Sequence, residues 1–239
     1  LRVTLNGRTQ SKGKEKQMRR VTAEFVNKRP PSRSILLKWF GIFYFWIAGW
    51  KLKGVIPDDP CLLVIAAPHT SNWDGWNLIM TSWISRTNLR WVVKEEFTKG
   101  LAGSFVKWTG GLGIKRDKSR NLVDQIATLI KESDDLLLLV APEGTRKKTD
   151  HWRTGFYWMA HKANIPMIAA RMDYSIKTIS FTGPFYTHGD IEEDIKPIFA
   201  TYDEVSGLHP ERESDKRLKL DDKQKKRPEW WEEATPLGG

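Results

Sequence analysis

Leu62–Ala67 is a run of six apolar residues that stops abruptly at Pro68, and it narrows the folds open to this chain more than any other stretch. A short apolar run without polar alternation predicts a strand covered on both faces, the setting of a largely parallel sheet between helical layers. Leu136–Val140 repeats the pattern and also ends at Ala-Pro followed by a charged residue. The other segments alternate in type. Helices are predicted over Asp74–Arg86, Phe97–Trp108, about Leu122–Ile130, Trp152–Asn164 and Ile191–Tyr202. Strands are predicted at Leu89–Val93, Leu112–Lys115, Pro166–Arg171 and Lys177–Phe181. Such alternation indicates an α/β fold with a mostly parallel or mixed central sheet flanked by helices.

His69 follows the first strand, and Asp74 follows five residues later. On one continuous helix that spacing would point the two side chains about 140° apart, at roughly 100° per residue. A strand-to-helix turn between them removes the obstacle, and Ser71 and Asn72 are suitable N-cap residues for a helix beginning near Trp73. Asp74 could then accept from Nδ1–H of His69 and leave Nε2 as a base. The plainer reading is that Asp74 is a first-turn acid favoured by the helix dipole and that His69 merely ends a strand.

Two further turns carry candidate site residues. Pro142–Arg146 places Glu143, Thr145 and Arg146 around Gly144: the glycine suits a tight turn, the carboxylate accepts from hydroxyls, and the guanidinium fork fits phosphate. Gly111–Arg116 is a second glycine-lined turn and ends in Lys115 and Arg116. Open α/β sheets gather ligands at the carboxyl ends of their strands, so these turns are expected to converge on His69.

The formal net charge of +10 is concentrated in residues 1–34, which have few large apolar residues and no sustained period. They read as a basic, disordered tail suited to an anionic partner, and the mixed-charge residues 210–239 as a second tail. Between them lies one domain, 35–209, opening on thirteen apolar residues of sixteen in 35–50. As a helix that segment is about 24 Å long, short of the roughly 30 Å hydrocarbon core, and it fits a signal peptide poorly. Trp39, Tyr44, Trp46 and Trp50, with Lys38, Lys51 and Lys53, suit the headgroup zone, so it is expected to be an apolar interfacial helix preceding the sheet. The bland alternative is a core helix. The single Cys61 excludes an internal disulfide and suits a reducing compartment.

His69–Asp74, Gly111–Arg116 and Pro142–Arg146, followed by Ile165–Ala170, resemble in order and spacing the four blocks of the glycerolipid acyltransferase family, the lysophosphatidate acyltransferase or PlsC-like enzymes. The resemblance spans about 100 residues. It implies one acyltransferase-type domain with His69 as catalytic base and Asp74 as its orienting acid. Lys115, Arg116, Glu143, Gly144, Thr145 and Arg146 would bind a phosphorylated lysolipid acceptor. No metal and no cofactor are implied, and acyl-CoA or acyl carrier protein enters as donor substrate. Association with the cytoplasmic face of a membrane, peripheral or monotopic, follows from the lipid substrate and the apolar segment.

The residues alone permit other classes. A metal hydrolase could combine His69, Asp74 and Glu143 with His151 or His161, but no His-Glu-x-x-His or paired Cys/His spacing is present. The basic tail and twelve tryptophans could suit nucleic acid, yet no binding motif accompanies them and no nucleic-acid partner is expected. A non-catalytic lipid-binding module of the same fold is the remaining alternative.

Overall fold

The computed structural model describes residues 18, 20–114 and 122–218. Eight strands form one sheet: β1 (Glu24–Asn27), β2 (Lys51–Ile56), β3 (Cys61–Ala67), β4 (Leu89–Lys94), β5 (Gly111–Ile114), β6 (Leu136–Val140), β7 (Met167–Asp173) and β8 (Thr178–Phe185). Their order is β1-β2-β8-β7-β3-β6-β4-β5. Only β7 and β8 pair antiparallel, so β7, β3, β6, β4 and β5 run one way and β1, β2 and β8 the other. The sheet is mixed, and its largest parallel part has β3 at its heart.

Six helices complete the described fold: α1 (Ile35–Ala48), α2 (Asn72–Ser85), α3 (Gly100–Trp108), α4 (Leu122–Lys131), α5 (Gly155–Ala163) and α6 (Ile191–Ala200). Leu63, Ile65 and Ala67 of β3 face Ile126 and Ile130 of α4, Tyr157 of α5 and Ile198 of α6 in one core. Leu62, Val64 and Ala66 face the other, which contains Ile42 and Phe45 of α1 and Met80 and Trp83 of α2. The pleat sends alternate side chains to opposite faces, and both faces are covered, which explains the unbroken apolar run. Each fully buried Leu or Ile there contributes roughly 1.5–3 kcal/mol.

Order begins before the expected domain boundary. Glu24–Asn27 of the supposed tail lies parallel to β2 at the sheet edge, and Lys51–Ile56, read from sequence as headgroup lysines, is a strand. The signal in β1 is weak because an edge strand buries little, with only Phe25 and Asn27 partly covered, and β2, between β1 and β8, fully buries only Leu52 and Ile56. At the other end, residues 210–218 remain packed, with a 3-10 turn at Pro210–Arg212 and a bridge from Leu218 to Trp152.

The apolar helix is both packed and exposed. Gly41, Ile42 and Phe45 of α1 are buried, while Leu36, Trp39, Phe40, Phe43 and Ile47 face outward. Trp50 is buried and Tyr44 and Trp46 are half-buried, so those three aromatics do not belong to the outer face. The turn-by-turn drift of a 3.6-residue helix sorts them, and a nearly all-apolar sequence cannot show which arc meets the core.

Candidate active site

β3 and β6 are adjacent and parallel, so their carboxyl ends bring the turn at His69 beside the turn at Glu143. Ser71 caps α2 by accepting from the backbone N–H of Trp73, and its own N–H donates to Asp74 Oδ2 at 2.8 Å. Thr70 N–H donates to the same oxygen at 2.8 Å, and His69 Nδ1 lies 3.1 Å from it. The cap and the dyad are therefore one structure: the first-turn acid that closes the helix also holds the imidazole. Asp74 has no exposed surface, whereas the His69 side chain retains 27% of its own. With Nδ1–H directed at a carboxylate, Nε2 is the basic nitrogen, and it has no hydrogen-bond partner among the described residues.

Glu143 braces this turn from the next strand. It is 3% exposed, and its Oε1 accepts the backbone N–H of His69 at 2.9 Å. Its Oε2 has no hydrogen-bond partner among the described residues. Burial pushes the carboxyl up to about 7, against the opposing pull of backbone N–H donors and of His69.

The folded protein thus keeps the Glu143 proton between its ordinary value of 4.5 and about 7, while the unfolded chain has lost it. This group's contribution to stability is complete below pH 4.5 and is lost as pH rises through 7. Glu143→Gln should remove that slope. Urea unfolding at pH 5 and 8 should show the variant gaining on wild type by on the order of 2 kcal/mol at the higher pH. An equal difference at both pH values would mean that Glu143 is ionised throughout.

Gly144 has φ +65°, in the left-handed region, and a Cβ there would also meet the Arg153 side chain at 2.7 Å from Nε. Thr145 is half-buried and Arg146 is exposed, with no hydrogen bond or ion pair among the described residues. β5 ends at Ile114, running parallel to β6 with β4 between them. Lys115 and Arg116 lie outside the described residues. Neither His151 nor His161 is bonded to the dyad: His151 contacts Asp150, and His161 contacts Thr187. Ser71 is committed as a cap, and Cys61 lies at the opposite end of β3 with burial raising its thiol pKa.

Three features escape the sequence reading. Arg153 lies against Gly144, adding a cation to the turn after β6. The segment after α6 crosses the His69 turn, where His209 N–H donates to Thr70 Oγ1 and a Cβ on Gly207 would sit 2.9 Å from that oxygen. Tyr174, just past β7, donates its hydroxyl to Asp74 Oδ1 at 2.6 Å. The available hint for Tyr174 is its position after a strand, and only the order β7-β3 puts that strand end beside the dyad.

A family model described as Acyltransferase matches residues 55–182, more than half of the chain. A comparison with curated proteins gives no match. Among solved structures, the chain is similar to the 1-acyl-sn-glycerophosphate (LPA) acyltransferase PlsC from Thermotoga maritima. That likeness has 15% identity and a TM-score of 0.49, covering 68% of this chain and 75% of that one.

Proposed function

Since the chain belongs to the acyltransferase family, we propose that it moves a fatty acyl group from an acyl thioester to a hydroxyl of a lysoglycerolipid, with 1-acylglycerol-3-phosphate as the leading acceptor. The observation that carries this reading is the His69–Asp74 pair, with a partly exposed base, a buried acid and, at the sheet's carboxyl edge, an Nε2 unpartnered among the described residues.

An acceptor hydroxyl is a poor nucleophile near neutral pH and needs a base as it attacks. Nε2 of His69 takes the hydroxyl proton while the oxygen bonds to the thioester carbonyl carbon. Asp74 holds Nδ1–H and stabilises the imidazolium that forms. Collapse of the tetrahedral intermediate breaks the carbon–sulfur bond, and the proton passes from His69 to the departing sulfur. The ester and a free thiol are the products. Thr70 and Ser71, the hydroxyls nearest in sequence, accept from the backbone N–H groups of His209 and Trp73, and these structural bonds support direct transfer over an acyl-enzyme. Arg146 and the Glu143–Thr145 turn support a phosphorylated acceptor, and Lys115 and Arg116 extend the proposal to the turn after β5. The donor is acyl-CoA or acyl carrier protein.

The purified protein should be incubated with acyl-CoA and with acyl carrier protein donors against a panel of lysolipids, and the products identified by mass. Transfer to lysophosphatidate above the non-phosphorylated acceptors supports the proposal. No transfer to any acceptor would leave the non-catalytic lipid-binding module.

Residence on a membrane surface is part of the same proposal. No helix among the described residues is long and apolar enough to cross a membrane. The outward faces of α1 and α3 adjoin, since Trp83 of α2 touches both Phe40 and Trp108. Leu101, Phe105 and Trp108 of α3 are exposed as well. Such a surface supports interfacial docking, at the cytoplasmic face in this reading. Replacing Leu36, Trp39, Phe43 and Ile47 by Ser should weaken binding to anionic vesicles at both low and high salt, because apolar burial is not screened. The melting temperature should hold, as these side chains already meet water. Loss of the melting transition in that variant, or no vesicle binding by wild type, would assign α1 to the core alone.

A further inference from the structure

The geometry points to Tyr174 as a positioning residue for the dyad: its hydroxyl fixes the free oxygen of Asp74 and thereby the direction of the bond to His69. This inference rests on the acyl-transfer reading for its consequence in rate. The two oxygens of Asp74 are unequally served. Oδ2 accepts from Thr70 N–H, Ser71 N–H and His69 Nδ1–H, all from its own turn. Oδ1 accepts from Tyr174, a hundred residues further along, at 2.6 Å. Without that donor, Oδ1 would be a bare oxygen in a fully buried group, and a carboxylate in that state turns to share the donors its other oxygen holds.

Tyr174 is well fixed for the task. Its backbone N–H donates to Ser206 O at 2.8 Å, and its ring meets the edge of buried Trp50 at a centroid distance of 4.8 Å. Burial and the Asp74 bond raise the phenol far above its ordinary range, so the hydroxyl remains a donor at any working pH. A second tier holds the phenol in turn. Asn77 Nδ2 donates to the Tyr174 oxygen at 3.3 Å, and Asn77 Oδ1 accepts from Tyr44 OH of α1 at 3.3 Å. The network therefore ties the dyad to α1, α2 and the turn between β7 and β8. It reaches the acid through the oxygen that the histidine does not use.

Tyr174→Phe keeps the ring and its contact with Trp50 and removes only the donor. Two readouts apply. In nitrogen-15 spectra of the full chain, the His69 ring signals, assigned by their loss in His69→Gln, should change from a single Nδ1–H tautomer in wild type to a mixture in Tyr174→Phe. In acyl-transfer assays, kcat should fall roughly tenfold with both KM values within twofold, because a misdirected base slows chemistry without touching either substrate. Unchanged His69 signals, an unchanged kcat, or a variant that loses its melting transition would each overturn the assignment. The spectra need no substrate, so they decide the inference even if wild type transfers nothing. In that case the acyl-transfer proposal fails on its own assay.

Discussion

His69→Ala is expected to abolish acyl transfer, with loss limited by assay sensitivity, while the protein stays folded. The base disappears, but the side chain is partly exposed and contributes one side-chain hydrogen bond. Asp74→Asn should cost nearly as much, on the order of a thousandfold or more, because an amide turned to donate cannot hold Nδ1–H or stabilise the imidazolium. The two variants differ in their cost to the fold. Asp74 also accepts from Thr70 N–H, Ser71 N–H and Tyr174, so its amide presents donors to groups that are themselves donors. Asp74→Asn should therefore melt below wild type, by an amount equivalent to about 1–3 kcal/mol, and His69→Ala close to it. Full activity in either purified variant would remove the proposed mechanism.

Arg146→Ala should chiefly raise the KM for a phosphorylated acceptor and leave the donor KM nearly unmoved. One lost charge-assisted contact is worth roughly 1.5–3 kcal/mol, or about ten- to a hundredfold. The expectation follows from position: Arg146 is exposed in the turn beside Glu143 and has no partner among the described residues, so its charge serves no described contact of the fold. Arg146→Lys should recover part of the loss, since an ammonium keeps the charge but not the bidentate fork. A non-phosphorylated acceptor should be indifferent to either change. Equal effects on both acceptors, or unfolding of Arg146→Ala, would make the residue structural.

Much of this architecture is legible from local pattern. The apolar runs of β3 and β6 announce strands buried on both faces, and the stripe of α4 announces a helix packed on them, because burial writes itself into a window of a few residues. The dyad is legible for the same reason: the strand end, the cap and the acid all lie within the eight residues Ala67–Asp74, so a local turn suffices to join His69 to Asp74.

Tertiary structure decided what depends on strand order and on which arc of a helix is covered. The sequence does not state that β7 lies against β3, and that neighbour relation alone carries Tyr174 to Asp74. Likewise, Glu143 could be assigned to the site by motif, but only parallel pairing of β3 with β6 turns it into a brace on the His69 backbone, buried enough to hold its proton to about 7. The edge strand β1, its neighbour β2 and the outward face of α1 belong to the same class. Hydrophobic period records that a side chain is buried, whereas the identity of what buries it is fixed by contacts between segments far apart in the chain.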